Sequence, residues 1–154
     1  MGDSEETKVD PIEAIKARIE EKRAAHEGAF AAQELRDYEA LEAACDEHGY
    51  DACARLSLPR RIAGLPTFCV VRAAAADIVT IHRQRILKSR KDSKGMPDPT
   101  AADRAIAEVG RACLVYPDAD TIDAVKEHFP TVEKDAGLIG RDMSQARAED
   151  EGKE

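Results

Sequence analysis

Apolar residues recur at helical spacing over much of this 154-residue chain. Between Thr100 and Met143 three short stripes follow one another with little sequence between them: Ala102, Ile106, Val109 and Cys113; Ile122, Val125 and Phe129; and Val132, Ala136, Ile139 and Met143. Thr100 and Asp103 have the spacing of a capping box, and Pro99 predicts that the first helix does not extend further back. Because helices this short are marginal in isolation, the three stripes must be buried against other parts of the chain.

The N-terminal third predicts either one long helix or two helices with a bend. Asp10, Pro11 and Glu13 have the order of an N-cap, a proline in the first turn and a capping-box acid. A second stripe runs from Ala31 to Cys45, and Gly28 marks the point where the helix could be interrupted. The first stripe predicts a packed helix or an exposed arm that docks in a groove of a partner; its residues are Ile12, Ile15 and Ile19.

The middle of the chain changes from helical to alternating spacing. Residues 51–58 alternate between apolar and polar, and residues 67–72 form the most β-prone run of the sequence. A loop bounded by Pro59 and Pro66 separates them, which predicts a β-hairpin over residues 51–72. A bare hairpin is marginal in water, so this one must lie on helices or pair with another chain.

These patterns predict a mainly α fold with a small β-hairpin (α+β), in which an N-terminal helix precedes a helical domain. The N-terminal helix, or arm, spans residues 10–30 and the helical domain residues 31–144. Within that domain a helix runs from Ala76 or Asp77 to Lys88. Residues 1–9 and 145–154 are mostly polar or charged and are predicted to be disordered.

Composition and charge refine this interpretation. Aromatic residues make up 4% of the chain and Trp is absent, so the core must consist of Ala, Leu, Ile and Val, which favours helices. The net charge is −8, but residues 55–94 carry 10 basic and only 2 acidic side chains. A cationic middle between anionic ends can attract an acidic partner or the chain's own termini.

The sequence gives no sign of export or membrane insertion. The N-terminus lacks the apolar region of a signal peptide, and no apolar run approaches the length of a membrane span. The four cysteines are irregularly spaced, which favours reduced, mostly buried thiols. We therefore expect a cytoplasmic protein without membrane association.

Two groups of residues have the composition of chemical sites. Cys45 and His48, with Cys53 and Cys69, could supply zinc ligands, but their spacing favours buried thiols and a helix-terminal histidine. Cys69, His82 and Asp77 contain the residue types of a thiol nucleophile site, but nothing in their spacing brings them together. We expect no enzymatic activity, no metal and no cofactor.

A basic segment is the one nucleic-acid candidate. It contains Arg83, Arg85 and Lys88, followed by Arg90, Lys91 and Lys94. Phosphate binding needs such a density of cations. The acidic total charge and the absence of interleaved aromatic residues favour a solvated helix end instead.

Four short motifs, in order, give the chain a resemblance to the tail assembly chaperones of tailed bacteriophages. They are the acidic helix segment Glu34–Glu39 (ELRDYE), the strand end Val70–Arg72 (VVR), the helix end Ala112–Pro117 (ACLVYP) and the closing pair Phe129–Pro130. The resemblance covers about residues 31–145.

The resemblance implies a small non-enzymatic protein of the host cytoplasm that acts during virion assembly. Such chaperones bind the long helical tape measure protein, keep its apolar segments soluble and help to recruit tail tube subunits. The residues that we predict to contact a partner are Ile12, Ile15, Ile19, Phe68, Val70, Arg83, Arg85 and Lys88.

Two other functions stay open from the sequence. One is a structural adaptor or head–tail component that is retained in the virion, and the other is a small nucleic-acid-binding regulatory module. Homo-oligomerisation also stays open, whereas nucleic acid is less favoured as a partner than protein.

Overall fold

The computed structural model describes residues 10–96 and 98–152, and the expectation for residues 1–9 lies outside them. Five helices and three strands follow in the order α1 (Pro11–His48), β1 (Cys53–Ser57), β2 (Phe68–Arg72), α2 (Ala76–Asp92), α3 (Pro99–Cys113), β3 (Leu114–Tyr116), α4 (Ala119–His128) and α5 (Val132–Glu151), with a 3-10 turn at Tyr50–Ala52. The prediction of a mainly α fold with a small β element is therefore confirmed.

Helix α1 is one continuous helix of 38 residues. The Asp10 side chain caps it by accepting a hydrogen bond from the Ile12 amide at 3.1 Å, and Pro11 occupies the first turn. Gly28 does not interrupt the helix, which ends at His48 before Gly49 adopts a positive φ of 100°. Of the two alternatives that the sequence left open, the structure has the single long helix.

The sheet contains the predicted hairpin and one additional strand. β1 and β2 pair antiparallel from Cys53↔Arg72 to Ser57↔Phe68. β3 pairs with the other side of β2, which gives the order β1-β2-β3. β3 is not apparent from the sequence, because three residues are too few to show an alternating pattern.

Three helix boundaries differ from the predicted ones. Helix α3 begins at Pro99 with Asp98 as its N-cap. A proline fits the first turn because the amide N–H that it lacks would have no partner within the helix at that position. Helix α2 continues past Lys88 to Asp92. Helix α5 continues through the tail predicted to be disordered as far as Glu151, where alanine and charged residues of good helix propensity prevail.

Strand β2 lies at the centre of the fold, with helices covering both of its faces. Phe68 and Val70 pack with Ala44 of α1 on one face. On the other face Val71 packs against α3 and α5, in a cluster with Ile106, Val109, Cys113 and Ala136. Cys69 shares that face and packs with Leu65, Val125 and Val132.

A fully buried carboxylate joins α1 to the sheet. Asp37 Oδ2 accepts hydrogen bonds from the amide and the hydroxyl of Thr67 at 2.7 and 2.6 Å. Its Oδ1 accepts from the Tyr116 hydroxyl at 2.5 Å and from Gln33 Nε2 at 2.9 Å. Burial, together with the hydrogen bond to Asp37, raises the pKa of Tyr116 above its usual range, so its hydroxyl remains a donor. Four donors thus satisfy a charge that would be costly to bury unpaired.

Helices α3 and α5 cross at backbone contact because glycines lie at the crossing. A Cβ atom on Gly137 would overlap the carbonyl oxygen of Ile106, and one on Gly110 would overlap that of Glu133. The Glu133 carboxylate, itself buried, binds Arg111 of α3 at 2.8 Å and also Lys126 of α4. The crossing and the two ion pairs of Glu133 therefore hold α3, α4 and α5 together beneath the sheet.

Removal of the Asp37 carboxylate should make the protein less stable to unfolding. Asp37→Ala leaves the donors of Thr67 and Tyr116 without their acceptor, and we expect it to lower the free energy of unfolding by about 3 kcal/mol in urea denaturation. Glu39→Ala, an exposed acid on the same helix, is the control and should change it by less than about 0.5 kcal/mol. Equal losses for both variants would contradict the assigned role of Asp37.

Two glycine-to-alanine substitutions should have opposite effects. Gly137→Ala forces α3 and α5 apart and should cost about 3 kcal/mol of stability. At Gly28 an added Cβ meets nothing within 4 Å, so Gly28→Ala should raise the free energy of unfolding by up to about 1 kcal/mol through better helix propensity. Urea denaturation followed by circular dichroism measures both changes, and a tolerated Gly137→Ala would contradict the close crossing.

Candidate partner-binding site

The N-terminal half of α1, residues 11–29, forms an arm in which no residue is buried. The first buried side chain of the helix is that of Phe30. The arm contains about five helical turns and is about 28 Å long. Ile12, Ile15 and Ile19 lie on it with 61%, 48% and 51% of their surface exposed. Of the two interpretations of this stripe, the structure therefore has the exposed arm.

Charged residues on the arm are arranged around the isoleucine stripe. Side chains three or four positions apart are neighbours on a helix surface. Every basic residue of the arm lies at that distance from an isoleucine; these residues are Lys16, Arg18, Lys22 and Arg23. None of the acidic residues does so; these are Glu13, Glu20, Glu21 and Glu27. The apolar stripe is thus bordered by positive charge.

Phe68 and Val70, predicted from the sequence as partner contacts, lie in the core. Their exposed fractions are 4% and 0%, and α1 covers the face of β2 to which they belong. Alternation along a strand that is covered on both faces leaves neither set of side chains at the surface. A partner would have to displace α1 to reach them.

Strand β1 forms one edge of the sheet. The Leu58 amide donates to the Thr67 carbonyl and the Ala73 amide to the Ala52 carbonyl, so the backbone groups of Cys53, Arg55 and Ser57 face the edge. Arg55 donates to the Tyr38 hydroxyl at 2.6 Å and so places a charge there. A charged side chain on an edge strand disfavours pairing with another strand.

The basic residues predicted as partner contacts lie on α2 and are exposed. Arg85 forms an ion pair with Glu108 of α3. Arg83 and Lys88 have no acidic side chain within ion-pair distance among residues 10–96 and 98–152. Of these three predicted contacts, Arg83 and Lys88 therefore carry a charge that no acidic side chain of the described ranges pairs, whereas Arg85 does not.

A groove between α2 and α5 adjoins this charge. It encloses about 340 Å³, and we call it the α2–α5 groove; its principal residues are Val79, His82, Arg83, Leu87, Arg90 and Arg141. His82 is almost fully buried at the floor of the groove, with 8% of its surface exposed. Leu87, by contrast, is 65% exposed beside the groove. Neither Leu87 nor Arg141 was a predicted site residue, because the groove forms only when two helices distant in sequence meet.

Two polar atoms of the groove have no hydrogen-bond partner within the described part of the chain: His82 Nδ1 and Arg141 Nε. Burial lowers the pKa of His82, and the neighbouring Arg141 cation lowers it further, against a hydrogen bond to the Ala105 backbone. The imidazole is therefore neutral at pH 7 and offers an acceptor, while Arg141 offers a donor.

The predicted groups of chemical residues are not assembled into a site. In the described ranges, no cluster of three or more His, Cys, Asp or Glu side chains is suited to hold a metal ion. All four cysteines are free, and Cys45, Cys69 and Cys113 are buried. Burial raises the pKa of the Cys69 thiol to about 12, and Asp37 adds to the rise, so the thiol is protonated at neutral pH. Cys69, a residue of β2, packs with Leu65, Val125 and Val132, whereas His82 lies in the α2–α5 groove.

No helix within residues 10–96 and 98–152 combines the length and the apolar character needed to cross a membrane. Comparison of the chain with protein-family models, with curated proteins and with solved structures finds no match.

Proposed function

We propose that this protein is a tail assembly chaperone of a tailed bacteriophage, which acts without catalysis. In this role it binds apolar helical segments of the tape measure protein in the host cytoplasm and assists assembly of the tail tube. The observation that carries the proposal is the arm, whose isoleucines are presented to solvent on a helix anchored in a folded body.

The arm has the physical properties that such binding needs. A chaperone for long helices must keep apolar surface accessible while remaining folded itself. Full burial of three isoleucine side chains in a complex contributes about 5 kcal/mol of gross transfer free energy. Because the arm is already helical in the free protein, binding does not require the ordering of a disordered segment.

The charges of the arm supply selectivity. The border of Lys16, Arg18, Lys22 and Arg23 favours helices with acidic residues beside their apolar stripe. It also opposes close pairing of two arms in any alignment that brings their basic borders together. A helix of another polypeptide therefore fits the arm better than a second copy of this chain.

The arm should be required to keep the tape measure protein soluble. We expect Ile12→Ala/Ile15→Ala/Ile19→Ala to reduce the co-purified tape measure protein of the same phage at least about fivefold on co-expression, since the variant loses the apolar contact but keeps helix propensity. The control Glu13→Gln/Glu20→Gln/Glu21→Gln alters the same helix away from the stripe and should bind like the wild type.

Three results would count against the chaperone. The first is a tape measure protein that stays insoluble with the wild-type chain, and the second is equal capture by the alanine variant. The third is stoichiometric presence of the protein in purified particles, measured by mass spectrometry, which would favour the structural adaptor.

A further inference from the structure

We propose that the α2–α5 groove is a second binding site, separate from the arm, for an amphipathic helix whose apolar stripe is bordered by acidic side chains. The inference rests on the proposed function in taking the occupant to be a segment of a partner polypeptide. It goes beyond that function because it assigns a site on the folded body and the charge pattern of the segment that enters it.

The groove has the dimensions of a helix-binding surface. Its α2 wall consists of residues that follow each other three or four positions apart, so they share one face; these are Val79, Arg83, Ile86 and Arg90, with Leu87 beside them. This face is about 17 Å long and accommodates about three turns of a second helix. Val79, Ile86 and Leu87 provide its apolar contacts.

The charges around the groove select an acidic occupant. Arg83 and Arg90 have no ion-pair partner among residues 10–96 and 98–152, and Arg141 has only its sequence neighbour Asp142, at 3.5 Å. Three guanidinium groups thus border the apolar wall of a chain whose net charge is −8. Acidic side chains beside the stripe of an incoming helix complete these pairs.

The two unpartnered polar atoms point to contacts inside the groove. A buried polar group without a partner is destabilising, so a ligand that satisfies it gains affinity. Both atoms lie beneath the surface of the groove. When their side chains turn toward an incoming helix, Arg141 Nε can donate to a carboxylate of the partner, and neutral His82 Nδ1 can accept from a hydroxyl or amide group. An acidic helix with one such polar residue satisfies both atoms.

Charge also excludes a simpler occupant, the arm of a second copy. The stripe of the arm is bordered by Lys16, Arg18, Lys22 and Arg23, and these cations would face Arg83, Arg90 and Arg141. Like charges at close range are repulsive. Arm and groove instead share a preference for acidic, apolar-striped helices.

Two designed peptides test the site directly. Both are synthetic helices of equal length with one leucine stripe, which is bordered by Glu in one peptide and by Lys in the other. Their affinities are measured by fluorescence anisotropy with the full-length Ile12→Ala/Ile15→Ala/Ile19→Ala variant, so that the arm does not contribute. We expect the Glu-bordered peptide to bind at least about tenfold more tightly than the Lys-bordered one.

Charge reversal locates the binding. In the same background Arg83→Glu/Arg90→Glu should weaken the Glu-bordered peptide at least about tenfold, whereas the control Arg104→Glu/Arg147→Glu, with the same change of net charge at exposed sites outside the groove, should change it less than about twofold. Equal effects of the two pairs, equal affinity for the two peptides, or displacement of the peptide by short duplex DNA at moderate salt would overturn the proposal.

His82→Leu separates binding from stability. Leucine has a similar volume but removes both the unpartnered Nδ1 and the hydrogen bond to the Ala105 backbone. These two changes oppose each other in stability, so the thermal midpoint should change little, while the Glu-bordered peptide, carrying one Ser in its stripe, binds at least about threefold more weakly. An unchanged affinity of the folded variant would contradict a role of His82 in the site.

The outcomes also distinguish this inference from the proposed function. If the peptide binds in the groove but the tape measure protein is not kept soluble, the chaperone proposal is wrong and the groove is still supported as a binding site. If the tape measure protein is captured and Arg83→Glu/Arg90→Glu has no effect on peptide binding, the groove alone fails.

Discussion

The buried carboxylate of Asp37 is the interaction on which the arrangement of this protein depends. It is the point where the helix that carries the arm is bonded to both Thr67, at the start of β2, and Tyr116, at the end of β3. An apolar contact would hold α1 on the sheet without fixing its direction, because hydrophobic burial is not directional. The hydrogen bonds of a carboxylate are directional, and they therefore determine where the arm lies relative to the body.

Local patterns were sufficient for much of the fold. The Asp10–Pro11 start and the two apolar stripes predicted helix where α1 lies, although not that it is unbroken, and alternation predicted the β1–β2 hairpin. The parts that the sequence did not reveal depend on contacts between distant residues. β3 is stabilised by pairing with β2, and the requirement for Gly110 and Gly137 comes from a helix crossing that joins segments far apart in the chain.

The residues of the candidate site likewise fall into those that local sequence predicted and those that depend on contacts between distant parts of the chain. Its isoleucines and basic residues were predicted, since the helical spacing of apolar residues and a cluster of basic residues are both visible in the sequence. Phe68 and Val70 were assigned to a partner because the sequence could not show that α1 covers β2 on that face. The groove contacts of Leu87 and Arg141 could not be predicted, because they arise where α2 meets α5. Net charge was equally uninformative, since a total of −8 conceals two apolar surfaces that are both bordered by cations.

The unbroken course of α1 has a mechanical consequence. A joint at Gly28 would let the outer part swing, and a pull on it would be absorbed as a change of angle. A continuous helix of 38 residues, about 57 Å long, acts instead as a lever. Force applied at the exposed isoleucines is delivered as torque to the place where Asp37 meets the sheet, so the outer half of the helix and the folded body turn together.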